Sequence, residues 1–145
     1  MYKKIVVAVD GSNTGNLALF EAIKLAKEQN SELRVVHVFD ENALSFSKRY
    51  PNAVELQKTF IDAGKDVLTE ANNIAQQQNI KVETVFLESL KGISKELVDY
   101  AKKCSADIIV IGTHGRTGID RLLLGSVAEK LVRLSTIPVL LVPGK

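Results

Sequence analysis

The chain has 145 residues, of which 46% are hydrophobic and 25% are charged. This length and hydrophobic content suffice for one domain with a buried core, and we expect a single domain over residues 1–145. The 19 basic and 17 acidic residues give a formal charge of +2, and the two signs are interspersed along the chain. The clustered basic surface that is typical of a nucleic-acid-binding protein is therefore not indicated.

The apolar runs of the sequence predict a cytoplasmic protein without a membrane partner. Residues 5–9 form an apolar run that is too short for the hydrophobic region of a signal peptide, and Asp10 ends it. No other apolar run approaches the roughly 20 residues that span a bilayer. The sequence contains one cysteine, which excludes an internal disulfide. With no export signal and no disulfide, we expect the cytoplasm.

Five short apolar runs predict β-strands. Four of them are rich in β-branched residues and nearly free of polar ones, which is typical of parallel strands that are covered on both faces. The third run in chain order is weaker, because Lys81, Glu83 and Thr84 interrupt it as they would at a sheet edge. The predicted strands are residues 5–9, 35–39, 82–87, 108–111 and 139–142.

Segments with a helical period separate these runs. In the first of them Leu19, Ala22, Ile23 and Ala26 fall on one helical face. The predicted helices are residues 16–29, 53–77, 94–103 and 126–134. Strands that alternate with helices indicate right-handed crossovers, and hence a three-layer α/β/α fold with a five-stranded, mainly parallel sheet. Residues 40–52 form the one long connection, either a surface loop over a pocket mouth or an excursion without function.

Ligands of open parallel sheets bind beyond the carboxyl ends of the strands, so the residues that follow each strand are the first candidates for a site. Asp10 follows the first strand and is a candidate to accept a hydrogen bond from a ribose hydroxyl or an adenine amine, or to hold a metal ion. Alternatively it forms an Asx-turn or caps the first helix. The residue taken alone favours this local role.

A glycine-rich loop follows the fourth strand and has the composition of a phosphate-binding loop. Glycine lets the backbone reach positive φ and brings its N–H groups close to anionic oxygens. The helix that follows adds the N–H groups of Gly125, Ser126 and Val127, and the guanidinium of Arg116 suits a phosphate. Alternatively the glycines serve tight turns, and Ser126 and Glu129 form a capping box. The position of the loop at the carboxyl edge favours phosphate binding.

Other kinds of site lack the residues that they need. The sequence contains neither a Gly-Lys-Ser or Gly-Lys-Thr loop nor a Gly-x-Gly-x-x-Gly after the first strand. One cysteine and two separated histidines give no zinc-ligand spacing, so no metal site is predicted. His114 is the first candidate for a general base, but no residue that would orient it can be named. The sequence therefore favours a solvent-facing loop histidine, and no catalytic residue is predicted. His37, within the second strand, is interpreted as a core histidine with a hydrogen bond.

The spacing of the loop glycines resembles the ATP-binding branch of the universal stress protein family, which is UspA-like. The signature of that branch is Gly, two residues, Gly, nine residues, Gly, and then Ser or Thr. Gly112, Gly115, Gly125 and Ser126 reproduce it. Residues 5–12, 35–39 and 137–139 are similar to the family as well, so the resemblance covers essentially the whole chain.

The resemblance implies a fold and a set of binding residues. The fold is an adenine-nucleotide alpha-hydrolase-like sheet in the order 3-2-1-4-5, with adenine between the ends of the first two strands. Ala8, Asp10 and Val38 would contact adenine and ribose. The residues that would line the ribose and phosphates are Ile111, Gly112, Gly115, Gly125, Ser126 and Val127. Members of the family commonly form homodimers through their last strands, and the apolar residues 139–142 fit such pairing.

Three positions depart from the family pattern. Ala8 stands where many members have proline, and Ile111 stands where many have methionine. Gly92-Ile93-Ser94 replaces a common Gly-x-Pro before the third helix. These departures affect the contacts around the base and leave the phosphate donors in place.

The leading functional hypothesis is an ATP-binding regulatory homodimer that senses or stores the nucleotide in the stress response. Magnesium is the ion that a triphosphate usually brings. A first alternative is a slow ATPase or a nucleotidyl or phosphoryl transferase, with Asp10 on magnesium and His114 or Asp120 handling protons. A second alternative is a nucleotide-free interaction module, against which the complete set of glycines counts.

Overall fold

The structure is a computed structural model that describes residues 1–44, 53–114 and 124–144. Strands and helices alternate along these residues, as the sequence predicts. The elements are β1 (Lys4–Ala8), α1 (Asn13–Gln29), β2 (Glu32–Asp40), a 3-10 helix (Glu41–Leu44), α2 (Ala53–Gln77), β3 (Glu83–Ser89), α3 (Ile93–Lys103), β4 (Ile108–Gly112), α4 (Ser126–Leu134) and β5 (Val139–Val142).

The five strands form one parallel sheet in the order β3-β2-β1-β4-β5, which confirms the predicted topology. In the central strand, Val7 lies opposite Val35 of β2 and Val110 of β4. The chain crosses over through a helix between parallel strands and reverses its direction of travel across the sheet after β3. The crevice between the carboxyl ends of β1 and β4 is therefore the topological switch point, where open sheets of this kind bind ligands.

Helices cover both faces of the sheet. Alternate side chains of each strand point to opposite faces, so both faces are apolar and each packs against helices. Ile5 and Val7 belong to an apolar cluster with α1 and α2. Val6 and Ile109 belong to a second cluster with α3 and α4. These four side chains are fully buried, and each contributes roughly 1.5–3 kcal/mol through burial. The three-layer α/β/α arrangement is thus confirmed.

Two elements begin three residues earlier than the sequence predicts, because hydrogen bonds of polar side chains stabilise their first residues. β2 begins at Glu32. There the Arg34 guanidinium donates hydrogen bonds to the Tyr100 hydroxyl (3.0 Å) and to the Glu32 carboxylate (3.3 Å). The bond to Tyr100 raises the pKa of Arg34. α1 begins at Asn13, because Ser12 caps it.

The other elements lie within two residues of their predicted bounds. β3 lies at an edge of the sheet, and α2, α4 and β5 have the predicted bounds. Of the connection 40–52, residues 45–52 lie outside the described residues. Among the helices that the structure describes, none combines the length and the apolar character needed to cross a membrane.

Candidate nucleotide site

Four residues that the resemblance assigns to the nucleotide lie together on one face of the sheet. Val38 and Ile111 are buried members of the apolar cluster with α3 and α4, and Ala8 and Val127 pack against it while staying partly exposed. They come from three different strands and from the first turn of α4. The structure therefore brings the carboxyl ends of β1, β2 and β4 and the beginning of α4 into one apolar neighbourhood.

Asp10 follows β1 and forms an Asx-turn, which confirms the local role that the sequence favours. Its carboxylate Oδ1 accepts hydrogen bonds from the backbone N–H (2.9 Å) and the hydroxyl (2.5 Å) of Ser12. The N-cap of α1 is Ser12, whose Oγ accepts from the Gly15 N–H at 3.0 Å, so the alternative in which Asp10 caps the helix is wrong. The turn fixes the carboxylate beside the beginning of α1.

The two described signature glycines before α4 have a steric reason to be glycine. A Cβ on Gly112 would lie 2.6 Å from Thr14 Cγ2, and a Cβ on Gly125 would lie 2.8 Å from the Thr113 carbonyl oxygen. Within the described residues the glycines at positive φ are Gly11 and Gly92. Close backbone approach, and not positive φ, is therefore what Gly112 and Gly125 provide.

The beginning of α4 presents backbone N–H groups at the carboxyl edge of the sheet. Gly125 is the N-cap, with φ −62° and ψ 153°, and the first bond within the helix joins the Glu129 N–H to the Gly125 carbonyl (2.9 Å). The N–H groups of Ser126 and Val127 precede that bond and have no partner within the helix. They add to the positive end of the helix dipole.

In this turn one predicted phosphate donor has a partner within the chain, and the predicted capping box is wrong. The Gly125 N–H, which the sequence predicts as a phosphate donor, donates to the Thr113 carbonyl oxygen at 2.7 Å. Ser126 is the first helical residue and not the N-cap that a capping box requires, and the Glu129 carboxylate accepts from Arg133 (2.8 Å). The Gly125 bond holds the turn against the end of β4.

Between β4 and the turn at Gly125, the structure describes the glycine-rich loop only at its beginning, Thr113 and His114. His114 Nδ1 and the Thr113 hydroxyl lie 3.0 Å apart, so Thr113 is a hydrogen-bond partner of the candidate base. Gly115, Arg116 and Asp120 lie outside the described residues. Among the described residues, no group of three or more histidine, cysteine, aspartate or glutamate side chains is arranged to hold a metal ion.

Charged side chains at the beginning of α3 pair with one another. Asp99 accepts from the Lys91 ammonium (2.6 Å) and from the Lys95 ammonium (3.3 Å). The hydrogen bond from Lys91 lowers the pKa of Asp99, and the same bond raises the pKa of Lys91. Lys91, which precedes α3, and Lys95, within it, are therefore both engaged by a carboxylate of α3.

Sequence reasoning missed three residues that shape the site. Ser12 caps α1 and bonds Asp10, Thr113 accepts from Gly125, and the buried Ser94 donates to the Val127 carbonyl oxygen at 3.0 Å. Ser12 carries a signal, since serine before a helix is a common N-cap. The other two contacts join distant segments, which no local pattern in the sequence reveals.

Comparison with known proteins assigns this geometry to a family. The model of the universal stress protein family matches residues 1–143. A universal stress protein of Methanocaldococcus jannaschii is 34% identical over 142 residues, which cover 98% of this chain and 82% of that protein. Universal stress protein YxiE of Bacillus subtilis is 34% identical over 150 residues, with coverage of 98% and 99%.

Solved structures share the fold over nearly the whole chain. Universal stress protein UspA from Lactobacillus plantarum superposes with a TM-score of 0.84 at 24% identity, covering 97% of each chain. A universal stress protein in complex with cAMP gives 0.71 at 26% identity, covering 99% of this chain and 98% of that one. The universal stress protein from Archaeoglobus fulgidus in complex with dAMP gives 0.73 at 26% identity, with coverage of 97% and 98%.

Proposed function

The chain belongs to the universal stress protein family, and from that premise we propose that it is a cytoplasmic, ATP-binding homodimer that senses the nucleotide in the stress response. The observation that carries the proposal is the beginning of α4, where N–H groups of the first helical turn adjoin the apolar ends of β1, β2 and β4. An adenine nucleotide needs both of these features. The proposal is one of binding and not of catalysis, because it rests on the helix N–H groups and the apolar strand ends.

The adenine side of the proposed site is the apolar neighbourhood of Ala8, Val38 and Ile111. Ala8 and Val38 come from neighbouring strands, since Ala8 lies opposite Val36 in the sheet. A flat purine gains stability by covering apolar side chains at such an edge. Asp10, two residues beyond Ala8, is the proposed contact of the adenine amine or the ribose.

The phosphate side of the proposed site is the first turn of α4. The N–H groups of Ser126 and Val127 are the described donors, and the end of the helix contributes a positive partial charge. Gly115 and Arg116 complete the proposed set from the resemblance. Magnesium, where it accompanies the triphosphate, would neutralise phosphate charge without a protein ligand being required.

Two related proteins support an adenine nucleotide as the ligand class. One of the similar universal stress proteins was solved with cAMP and another with dAMP. Both ligands contain adenine, a pentose and phosphate, which are the groups that the apolar edge and the helix amides suit. The choice of ATP within this class rests on the signature formed by Gly112, Gly115, Gly125 and Ser126.

The proposed dimer uses β5, which is the last strand of the sheet and pairs only with β4 among the described strands. Its Leu140 is 36% exposed, and the unpaired edge groups of such a strand favour another strand as neighbour. A second copy of the chain offers the same edge, so that antiparallel pairing of two β5 strands closes both edges at once.

Calorimetry of nucleotide-free protein tests the proposal directly. We expect ATP to bind at or below millimolar concentration, with adenosine binding more weakly because it lacks phosphate. Unfolding the protein, extracting any retained nucleotide and refolding it prepares the sample. If neither ATP nor adenosine produces binding heat at millimolar concentration, the proposed function is wrong.

A pair of substitutions at Ser126 tests the role of the helix amides. Proline suits the first position of a helix, and the extended ψ of Gly125 suits a residue before proline. Ser126→Pro therefore removes one N–H while preserving the helix, and we expect ATP affinity to fall about 10- to 100-fold. Ser126→Ala keeps the N–H and serves as the matched control. Equal ATP affinity in the two variants would argue against binding by these amides.

A further inference from the structure

The hydroxyl of Ser94 bridges the beginnings of two helices. Ser94 is the second residue of α3, is 5% exposed, and donates to the carbonyl oxygen of Val127, the second residue of α4, at 3.0 Å. Serine in the first turn of a helix commonly bonds backbone groups of its own helix or turn. Here the bond crosses to a residue 33 positions away, so it joins two separate elements.

The two ends of this bond differ in how firmly the rest of the structure holds them. α3 is anchored by Leu97, Val98 and Ala101, which are at most 3% exposed. α4 has fewer buried residues, Ala128 and Leu131. A buried hydroxyl is costly without a partner, so Ser94 ties the first turn of α4 to the better anchored helix.

The residue that receives this bond is also a proposed ligand contact. The Val127 carbonyl oxygen accepts from Ser94. The Val127 N–H lies in the first turn of α4, before the first bond within the helix, which joins the Glu129 N–H to the Gly125 carbonyl. On the other side of the turn, the Gly125 N–H is bonded to Thr113 at 2.7 Å. The first turn of α4 is thus held from two sides, by the end of β4 and by α3.

We infer that Ser94 is a positioning residue for phosphate recognition: its hydroxyl fixes the orientation of the first turn of α4, so that the N–H groups of Ser126 and Val127 converge on the nucleotide phosphates. The inference rests on the proposed function and adds a residue that touches no ligand. Its effect is expected in the phosphate half of the site, and not around the base as the sequence alone suggests for this departure from the family pattern, because the Ser94 hydroxyl donates to α4.

The ratio of ATP to adenosine affinity tests this inference. We expect Ser94→Ala to weaken ATP binding about 3- to 10-fold, which corresponds to the loss of one hydrogen bond, and to leave adenosine binding unchanged. Ser94→Thr keeps a hydroxyl and should restore the ratio. A purely structural role of Ser94 would lower both affinities together or neither. Either of those results would overturn the inference while the wild-type affinity for ATP still supports the proposed function.

The matched control is Ser89→Ala. Ser89, the last residue of β3, is also buried, at 2% exposure, but its hydroxyl accepts from the Lys91 N–H (3.1 Å) and donates to the Gly92 carbonyl oxygen (3.4 Å), both in the turn that follows its own strand. We expect this variant to keep the wild-type ratio of affinities. If Ser94→Ala does not fold, as judged by circular dichroism, Ser94→Cys takes its place with the same expected loss, because a thiol is a weak donor.

An NMR measurement without nucleotide separates this inference from the proposed function. Removal of the Ser94 hydroxyl should shift the amide resonances of Val127 and Leu131 and speed hydrogen exchange at Leu131, whose N–H faces the Val127 carbonyl in the helix. Unchanged resonances in Ser94→Ala would overturn the inference even if ATP binds. A wild-type protein that binds no nucleotide, combined with shifted resonances, would instead refute the proposed function.

Discussion

At the scale of single residues, Gly64 determines how closely α2 approaches the sheet. A Cβ at this position would lie 2.7 Å from His37 Cδ2 and 2.8 Å from Phe86 Cε2. The His37 ring stacks on Phe86 with its centroid 6.0 Å away, and its Nδ1–H donates to the Val9 carbonyl oxygen at 2.8 Å. The glycine leaves room for the imidazole, whose hydrogen bond holds the chain directly before Asp10.

Gly64→Ala should therefore destabilise the protein, even though alanine favours a helix by about 1 kcal/mol over glycine. Displacing two rings that are held by stacking and a hydrogen bond costs about 1–3 kcal/mol, and we expect a net loss of free energy of unfolding in urea titrations. Asn73→Ala, at an exposed position of α2, gains helix propensity without overpacking and should be as stable as the wild type or slightly more stable. A Gly64→Ala protein that matches Asn73→Ala would contradict this account.

His37, Gly125 and Ser94 show what a sequence reveals about single positions. The hydrogen bond of His37 was predictable from its place between two valines, since a buried polar group needs a partner. The bonds of Gly125 to Thr113 and of Ser94 to Val127 were not, because they depend on how loops and helices meet in space. Spacing identifies which residues belong to a signature, whereas the orientation of each N–H requires coordinates.

At the scale of elements, the first helix is coupled to the candidate site through its N-cap. The Ser12 hydroxyl accepts from Gly15 at 3.0 Å and donates to Asp10 at 2.5 Å. Ser12→Ala should lower the free energy of unfolding by about 0.5–2 kcal/mol, and it should also weaken nucleotide binding by releasing Asp10. Ser12→Thr keeps both bonds and should preserve stability in thermal and urea denaturation. Equal stability of the alanine and threonine variants would refute the capping role.

The beginning of the sheet depends on the ionisation of Asp107. Its Oδ2 accepts from the backbone N–H groups of Lys4 (2.9 Å) and Lys3 (2.8 Å). The hydrogen bond from Lys4, followed by that from Lys3, lowers the pKa of Asp107. A carboxyl whose pKa is depressed by folding stabilises the protein above the ordinary aspartate value, and this contribution is lost as the pH falls through the folded-state pKa.

Asp107→Asn should therefore lower the melting temperature at neutral pH, and the difference from the wild type should shrink as the pH falls from about 5 towards about 2. The measurement is thermal unfolding by circular dichroism across that range. Asp66→Asn, at an exposed position of α2, is the control and should follow the wild-type curve more closely. A difference between wild type and Asp107→Asn that stays constant with pH would show that the effect is not due to ionisation.

The elements themselves follow from the sequence wherever a periodic pattern determines them. The bounds of α2, α4 and β5 agree with the prediction, because their apolar spacing and flanking residues are unambiguous. The beginning of β2 was missed, since Glu32 and Arg34 are polar and are accommodated only by partners elsewhere, such as Tyr100. The local hydrophobic pattern therefore predicts where strands and helices lie. Hydrogen bonds between polar side chains that are distant in the sequence can lengthen an element beyond that pattern.

At the scale of the whole molecule, the two edges of the sheet have opposite character. The edge strand β3 carries exposed charged residues, Glu83 and Glu88, which discourage pairing with another strand. The edge strand β5 is Val-Leu-Leu-Val without a charge, and Val132 and Leu134 of the adjoining α4 are nearly half exposed. The asymmetry favours association through β5 and not through β3.

Leu140→Lys tests the proposed dimer, because a lysine on each copy introduces two like charges where two β5 edges would meet. We expect sedimentation equilibrium to give a dimer for the wild type and a monomer for Leu140→Lys. Leu90→Lys alters an apolar residue that is also exposed, at 68%, but that follows β3 at the opposite edge of the sheet, and it should remain dimeric. A wild type that stays monomeric at all concentrations would refute the dimer. The nucleotide proposal would be unaffected, since every residue assigned to it belongs to one chain.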